Sequence, residues 1–143
     1  MSEIDYTALM PFAAAAGVRI VRATADEVLG ELDWSAERTT AGGALHGGAI
    51  MTLADSVGAV CAFLNLPEGA TTSTTSSSTV FVRGVRSGTV TALARPLHVG
   101  RSTIAVVTEV RDDSGDSPGR AGVAAGRGRL VAQVTQSQAV LYS

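Results

Sequence analysis

Lysine is missing altogether from this sequence, cysteine occurs once, and aromatic residues fill only 4% of its 143 positions. A lone cysteine, Cys61, excludes a disulfide within the chain and points to a reducing, cytoplasmic setting. Positive charge is also scarce. Eleven arginines face 13 acidic residues for a formal net charge of −2, and the pI of about 5.6 lies far below the range of nucleic-acid binders. No apolar run approaches the ~20 residues of a membrane span, and the stretch 8–16 is interrupted by Pro11. The opening Met1-Ser2-Glu3-Ile4-Asp5 is acidic where a signal peptide would be basic. Neither a nucleic acid nor a membrane is therefore expected as a partner. The two histidines, His46 and His98, lack the spacing and company of a metal site, so no metal is expected. Glycine-rich nucleotide signatures in a strand–turn–helix context are absent, as are serine nucleophile elbows.

What is present suits one globular domain over 1–143, with 45% hydrophobic and 17% charged residues. Within the N-terminal stretch 1–17, an Ala-rich helix is expected over 4–16, closed by Gly17. Strands follow at 18–23 and 27–34, with a turn at Thr24-Ala25-Asp26. The longest helical pattern runs from about Gly47 to Asn65 and stops before Pro67 and Gly69. Strands are read at 89–96, at 102–111 with Ile104, Val106, Thr108 and Val110 on one face, and at 130–141. Residues 71–79 are only Thr and Ser, which alone would suit a flexible linker. Thr is a good strand former, however, and the run enters Val80-Phe81-Val82, so a strand is expected. The stretch 112–128, rich in Gly, Ala, Arg and Asp, reads as a surface loop insertion, with a lid or ligand loop as its functional alternative. One long helix beside several long strands argues for α+β, an antiparallel sheet around a central helix.

That helix carries the chemistry. Ile50, Leu53, Val57, Val60 and Leu64 give it an apolar face, while Thr52, Asp55, Ser56 and Ala59 form a stripe of small and polar groups. Asp55 is the only charged residue between Arg38 and Glu68. A carboxylate in apolar surroundings tends toward a raised pKa, as a catalytic base or nucleophile in a cleft does. The pattern alone fits equally well an Asp that merely faces solvent. His46-Gly47-Gly48 opens the helix: glycines admit a ligand close to the backbone, and first-turn N–H groups lack helical partners. Such a turn suits stabilisation of an oxyanion, although an ordinary loop-to-helix junction looks the same. Cys61, on the apolar side, reads as an inert buried thiol.

These segments resemble a family. Ala44-Leu45-His46-Gly47-Gly48 with its acid Asp55, then Phe81-Val82-Arg83, Val85-Arg86-Ser87-Gly88 and Arg95-Pro96-Leu97-His98-Val99-Gly100-Arg101, resemble the hotdog-fold acyl-CoA thioesterases. The similarity is to the phenylacetate-degradation (PaaI-like) and 4-hydroxybenzoyl-CoA thioesterase type. Pro-Leu-His-Val-Gly is similar to the dihydroxynaphthoyl-CoA branch. The resemblance implies a hotdog fold and hydrolysis of an aromatic or medium-chain acyl-CoA, with coenzyme A part of the substrate and no separate cofactor. It implies a homodimer at minimum and a homotetramer as a dimer of dimers.

It also implies roles for single residues. Gly47 N–H would bind the thioester carbonyl, with Gly48 and Thr40 at the substrate, and His46 would hold the loop. Asp55 would act as nucleophile or general base on a carbonyl held by Gly47 of the partner subunit. Thr74 or Thr75 would place water or the acyl group, and Arg83 and Arg101 would meet coenzyme A phosphates. Relatives usually carry Gln or Asn where Thr40 stands, a hydroxyl where Ala59 stands and Pro where Gly84 stands. The competing readings are an acyl-CoA-binding module without catalysis, favoured by Thr40 and Ala59, and a hotdog hydratase or dehydratase, for which the helix after Asp55 offers no histidine.

Overall fold

A proline sets where the first helix begins, and a left-handed glycine sets where it ends. The computed structural model describes residues 4–114 and 127–143. Its first helix, α1, is Pro11–Ala16, six residues rather than the thirteen expected over 4–16. Proline has no N–H to give and its ring would strike the carbonyl four residues back, so Pro11 is tolerated as the first helical residue and not inside the helix. The residues before it form turns, with Met10 N–H donating to Thr7 O at 3.0 Å. At the other end Gly17 has φ 95°, and its N–H donates to Ala14 O while that of Val18 donates to Ala13 O. A β-carbon on Gly17 would also stand 2.2 Å from Arg38 Nη2.

The strands are β1 (Arg19–Ala23), β2 (Val28–Asp33), β3 (Ala70–Phe81), β4 (Thr89–Val99), β5 (Thr103–Arg111) and β6 (Leu130–Tyr142). They form one six-stranded sheet in the order β1-β2-β4-β5-β6-β3, with every neighbouring pair antiparallel. Between β2 and β3 in the chain lies α2 (Gly47–Phe63). It crosses one face of the sheet and delivers β3 to the opposite edge, packing on β2, β3, β4, β5 and β6 on its way. The α+β arrangement, a long helix wrapped by an antiparallel sheet, is the expected one.

Leu53, Val57 and Cys61 of α2 are fully buried against Val90 and Ala92 of β4, Ile104 and Val106 of β5, and Val131 of β6 in one core. Ile104, Val106, Thr108 and Val110 all face inward, the alternation expected of β5. Helix α2 stops at Phe63, slightly before the expected Asn65, because the Asn65 amide turns back to cap it, donating to Cys61 O at 2.8 Å. The Thr/Ser run is a strand, as expected, and β3 spans twelve residues, most of them exposed along the sheet edge. No helix among the described residues is long and apolar enough to cross a membrane.

Of the 112–128 insertion, residues 115–126 lie outside the described residues. Its base is clasped by Asp112, whose carboxylate accepts from the N–H groups of Ser114 (3.0 Å) and Arg129 (2.9 Å) and from Arg129 Nε (3.1 Å).

Candidate active site

The loop leading into α2 is a small hairpin. Thr40 N–H donates to Ala44 O at 2.8 Å, Gly43 N–H to Thr40 O at 3.1 Å, and Gly42 and Gly43 both take positive φ. From it emerges His46, the N-cap of α2, whose Nδ1 accepts from Gly48 N–H at 2.8 Å. With Nδ1 committed as an acceptor, Nε2 is the ring nitrogen left to donate. His46 N–H is itself spent on Arg38 O at 2.7 Å. Of the three amides in the turn, Gly47 N–H is the one that meets no acceptor among the described residues, at the positive end of the helix. The ring of Phe81 lies beside Gly47: a β-carbon there would be 3.3 Å from Cζ.

Asp55 follows roughly 12 Å further along the helix axis, eight residues at about 1.5 Å each. It sits in an open groove of about 460 Å³ between α1, α2 and β3, walled by Met10, Phe12, Met51 and Ala59. A second groove, about 480 Å³, adjoins it across Phe12 and Thr52, and holds His46, Gly48, Glu37 and Arg38. One side of Asp55 stays exposed, yet the apolar walls strip away enough water for burial to push its carboxyl above the usual aspartate range. Interactions with the Thr74 hydroxyl and the Gln136 amide, whose Nε2 is 3.4 Å from Oδ1, favour the charged form and offset part of that rise.

The polar stripe on α2 divides on inspection. Thr52 Oγ donates to Gly48 O at 2.8 Å and Ser56 Oγ to Thr52 O at 2.7 Å, so both hydroxyls are tied to the helix backbone, and the carboxylate is the free functional group. On β3, Thr74 and Thr75 part company at a bulge. Thr74 reaches Asp55 and accepts from Gln138 Nε2 at 2.7 Å, whereas Thr75 Oγ donates to Ser137 O at 3.1 Å. Thr40 is exposed on its turn and lines neither groove; Thr39 lines the second.

Arg83 and Arg101, both expected to meet coenzyme A phosphates, are far apart within one chain. Arg83 N–H donates to Val131 O near the start of β6, and Arg101 O accepts from Tyr142 Oη at that strand's end. Eleven residues of strand separate these anchors, roughly 36 Å at about 3.3 Å per residue. Among the described residues no three His, Cys, Asp or Glu side chains are grouped as a metal would need. Two neighbours of the site, Gln136 and Gln138, were not anticipated. Their signal was available: in Val134-Thr135-Gln136-Ser137-Gln138-Ala139-Val140 they alternate in step with the valines, which puts two amides on the inward face.

The chain is similar to known proteins. The thioesterase superfamily profile matches residues 42–118, the span from the glycine turn through β5. A Vibrio cholerae protein provisionally named an esterase is 40% identical over 73 residues, 51% of this chain and 49% of its own length. The proofreading thioesterase EntH of Klebsiella pneumoniae is 37% identical over 73 residues, 51% of this chain and 53% of its own. The chain thus spans about half the length of these curated relatives. Among solved structures, that of a Mycobacterium tuberculosis protein, also provisionally named an esterase, superposes with a TM-score of 0.82 at 26% identity, covering 94% of this chain and 98% of the other.

Proposed function

The chain belongs to the thioesterase superfamily, with the hotdog fold of that family, and from this premise we propose that it hydrolyses an acyl-coenzyme A thioester to the free acid and coenzyme A. The observation that carries the reading is the pairing of one uncommitted helix-start amide, Gly47 N–H, with one carboxylate in an apolar groove, Asp55. In this mechanism the amide N–H donates to the carbonyl oxygen and stabilises its growing negative charge, as an oxyanion hole does. Asp55 then takes a proton from water as the water attacks, or attacks the carbonyl itself and is released by a later water. Either route consumes one water, breaks the C–S bond and leaves the proton on the departing thiol. No further cofactor enters, because coenzyme A belongs to the substrate.

One helix does not bring both groups to a single carbonyl, since roughly 12 Å of axis separates them. The reading therefore needs a second subunit, with Asp55 acting on a carbonyl held by Gly47 of the partner subunit. The exposed backbone edge of β3 supplies a surface for such a homodimer, and a homotetramer is the larger form the proposal adopts. The same assembly would bring Arg83 toward the partner's Arg101, because antiparallel pairing of two β3 edges sets the end of one beside the beginning of the other. The walls of Met10, Phe12, Met51 and Ala59 suit an apolar acyl group, aromatic or of medium chain, and the aromatic branch of the PaaI-like type is the finer assignment. A cytoplasmic place fits the free, buried Cys61.

The test is release of free thiol from benzoyl, phenylacetyl, naphthoyl and straight-chain acyl-CoA esters, comparing wild type with Asp55→Ala. Turnover by the wild type with loss of at least ~10²-fold in the variant supports the proposal. Binding of the esters by both proteins with no thiol released would show a binding module instead. A stable monomer in sedimentation at assay concentration would defeat the shared site.

A further inference from the structure

The inward face of β6 reads Val134, Gln136, Gln138, Val140, all buried, so two amides stand where the flanking positions hold valine. Room for the first is made by Gly58 on α2. A β-carbon there would stand 1.9 Å from Gln136 Oε1 and 2.6 Å from its Cδ, so the amide lies against bare helix backbone, one turn after Asp55. Its two ends fare differently: Nε2 faces Asp55 Oδ1 at 3.4 Å, and Oε1 is buried without a partner among the described residues. Exchanging oxygen and nitrogen would set two oxygens face to face whenever the carboxyl is ionised, so the donor belongs where it is.

The second amide works one residue removed. Gln138 is paired directly across the sheet from Thr74 and donates to its hydroxyl at 2.7 Å, while Thr72 Oγ, 3.2 Å from Gln138 Oε1, orients the amide. Because Thr74 Oγ accepts from Gln138, its own proton is left to donate, in the sense that favours the charged form of Asp55. We infer that Gln136 is a positioning residue for Asp55: seated in the notch left by Gly58, it holds one carboxylate oxygen directly, while Gln138 does the same at one remove through Thr74. The inference rests on the assignment of Asp55 as the thioesterase's reacting carboxylate.

No other charge competes for this role. Helix α1, β3 and β6 carry no Asp, Glu, Arg or His, and α2 carries Asp55 alone. The titratable groups that remain on these elements are Cys61, buried in the core, and Tyr142, bonded to Arg101 O at the far end of β6. His46, Glu37 and Arg38 lie in the neighbouring groove. The Thr74 hydroxyl and the Gln136 amide are thus the groups that favour the charged form and offset part of the rise caused by the apolar walls.

The experiment compares Gln136→Met, Gln138→Met and Asp55→Asn with wild type in the full chain, reading kcat and KM across pH and melting temperature. Gln136→Met is expected to lower kcat by roughly 10-fold and leave KM within about twofold, and to move the acidic limb of the kcat profile up by about half a unit or more. Gln138→Met moves the limb the same way by a smaller amount. A folded Gln136→Met protein with wild-type kcat and an unmoved limb overturns the inference, even if it melts earlier, because packing alone would do that. Should Gln136→Met fail to fold, Gly58→Ala, which crowds the amide out of its seat, decides in its place by the same readouts. Asp55→Asn separates the two levels: if it is inactive while the glutamine variants are normal, only the positioning role falls. If it is fully active, the assignment of Asp55 falls and the inference with it.

Discussion

The ring of Phe81, the last residue of β3, lies across Gly47, the first residue of α2, so closely that a β-carbon on residue 47 would stand 3.3 Å from its Cζ. The strand that follows the helix thereby returns to touch its start, and the amide of Gly47 opens beside an aromatic face. Gly47→Ala is expected to lower kcat/KM by roughly 10- to 100-fold, less than the roughly 10²–10³-fold of a lost oxyanion donor, because the N–H remains while the methyl crowds both the ring and the approaching carbonyl. Adding Phe81→Leu to the same chain gives the methyl space and recovers part of the loss. Steady-state kinetics of the two single variants and the pair checks this, and no recovery would show that the ring is not what restricts position 47.

Asp55 sets activity against stability. Its carboxyl is pushed above the usual aspartate range, first by burial in the groove. A carboxyl whose pKa is raised on folding contributes stability below its unfolded pKa of about 3.9, and that contribution is lost as pH rises through the raised folded value. At neutral pH the ionised group is therefore a burden on the fold. Asp55→Asn should cut kcat at least ~10²-fold while raising the melting temperature at pH 7 by roughly 1–3 °C, and the gain should vanish near pH 3. Thermal melts at the two pH values, run beside the assay, test both halves. For the wild type, the acidic limb of kcat should have its midpoint above about 3.9.

How much of this was legible in the residues alone depends on how local the cause was. Strand β5 announced itself because Ile104, Val106, Thr108 and Val110 alternate and all face the core. The same logic applied to Gln136 and Gln138 would have flagged them, but polar residues in a strand are by habit assigned to its outer face. Pro11 was visible and its consequence local, so the shorter α1 could have been read directly from the ring's demand for a helix start. The separation of Arg83 from Arg101 was not legible, because it depends on which end of β6 each neighbours, a fact of strand order. Nor was the division between Thr74 and Thr75, which is decided by a bulge between adjacent hydroxyls in a uniform run of Ser and Thr.

Asp112 anchors the base of the loop. Burial tends to raise its pKa, but hydrogen bonds from Ser114 and Arg129 and the nearby Arg129 charge outweigh this and hold it below the usual range. A depressed carboxyl contributes stability above its unfolded pKa, and that contribution is lost as pH falls through the folded value. Asp112→Ala leaves the Ser114 and Arg129 amides without their acceptor and should cost about 1–3 kcal/mol at pH 7. Urea denaturation of both proteins should show the gap narrowing as pH is lowered below about 4. A gap independent of pH would mean that the bonds matter and the charge does not.

Cys61 should be silent. It is fully buried in the core, and burial pushes its thiol up to about 11, so little thiolate exists and no reagent reaches it. Folded protein at pH 8 should take up less than about 0.1 equivalent of Ellman's reagent in an hour, and about one after denaturation. Rapid labelling of the native chain would show that α2 lifts from the sheet.

Strand β3 has one further consequence. A twelve-residue unpaired border made of valine or isoleucine would glue itself to any extended chain it met. Here nine of its twelve residues, 71–79, are Ser or Thr, side chains that offer an unrelated chain little apolar surface. A newly made copy can therefore stay dispersed in dilute solution, its backbone still able to zip onto a matching edge but its side chains giving unrelated sequences little to hold.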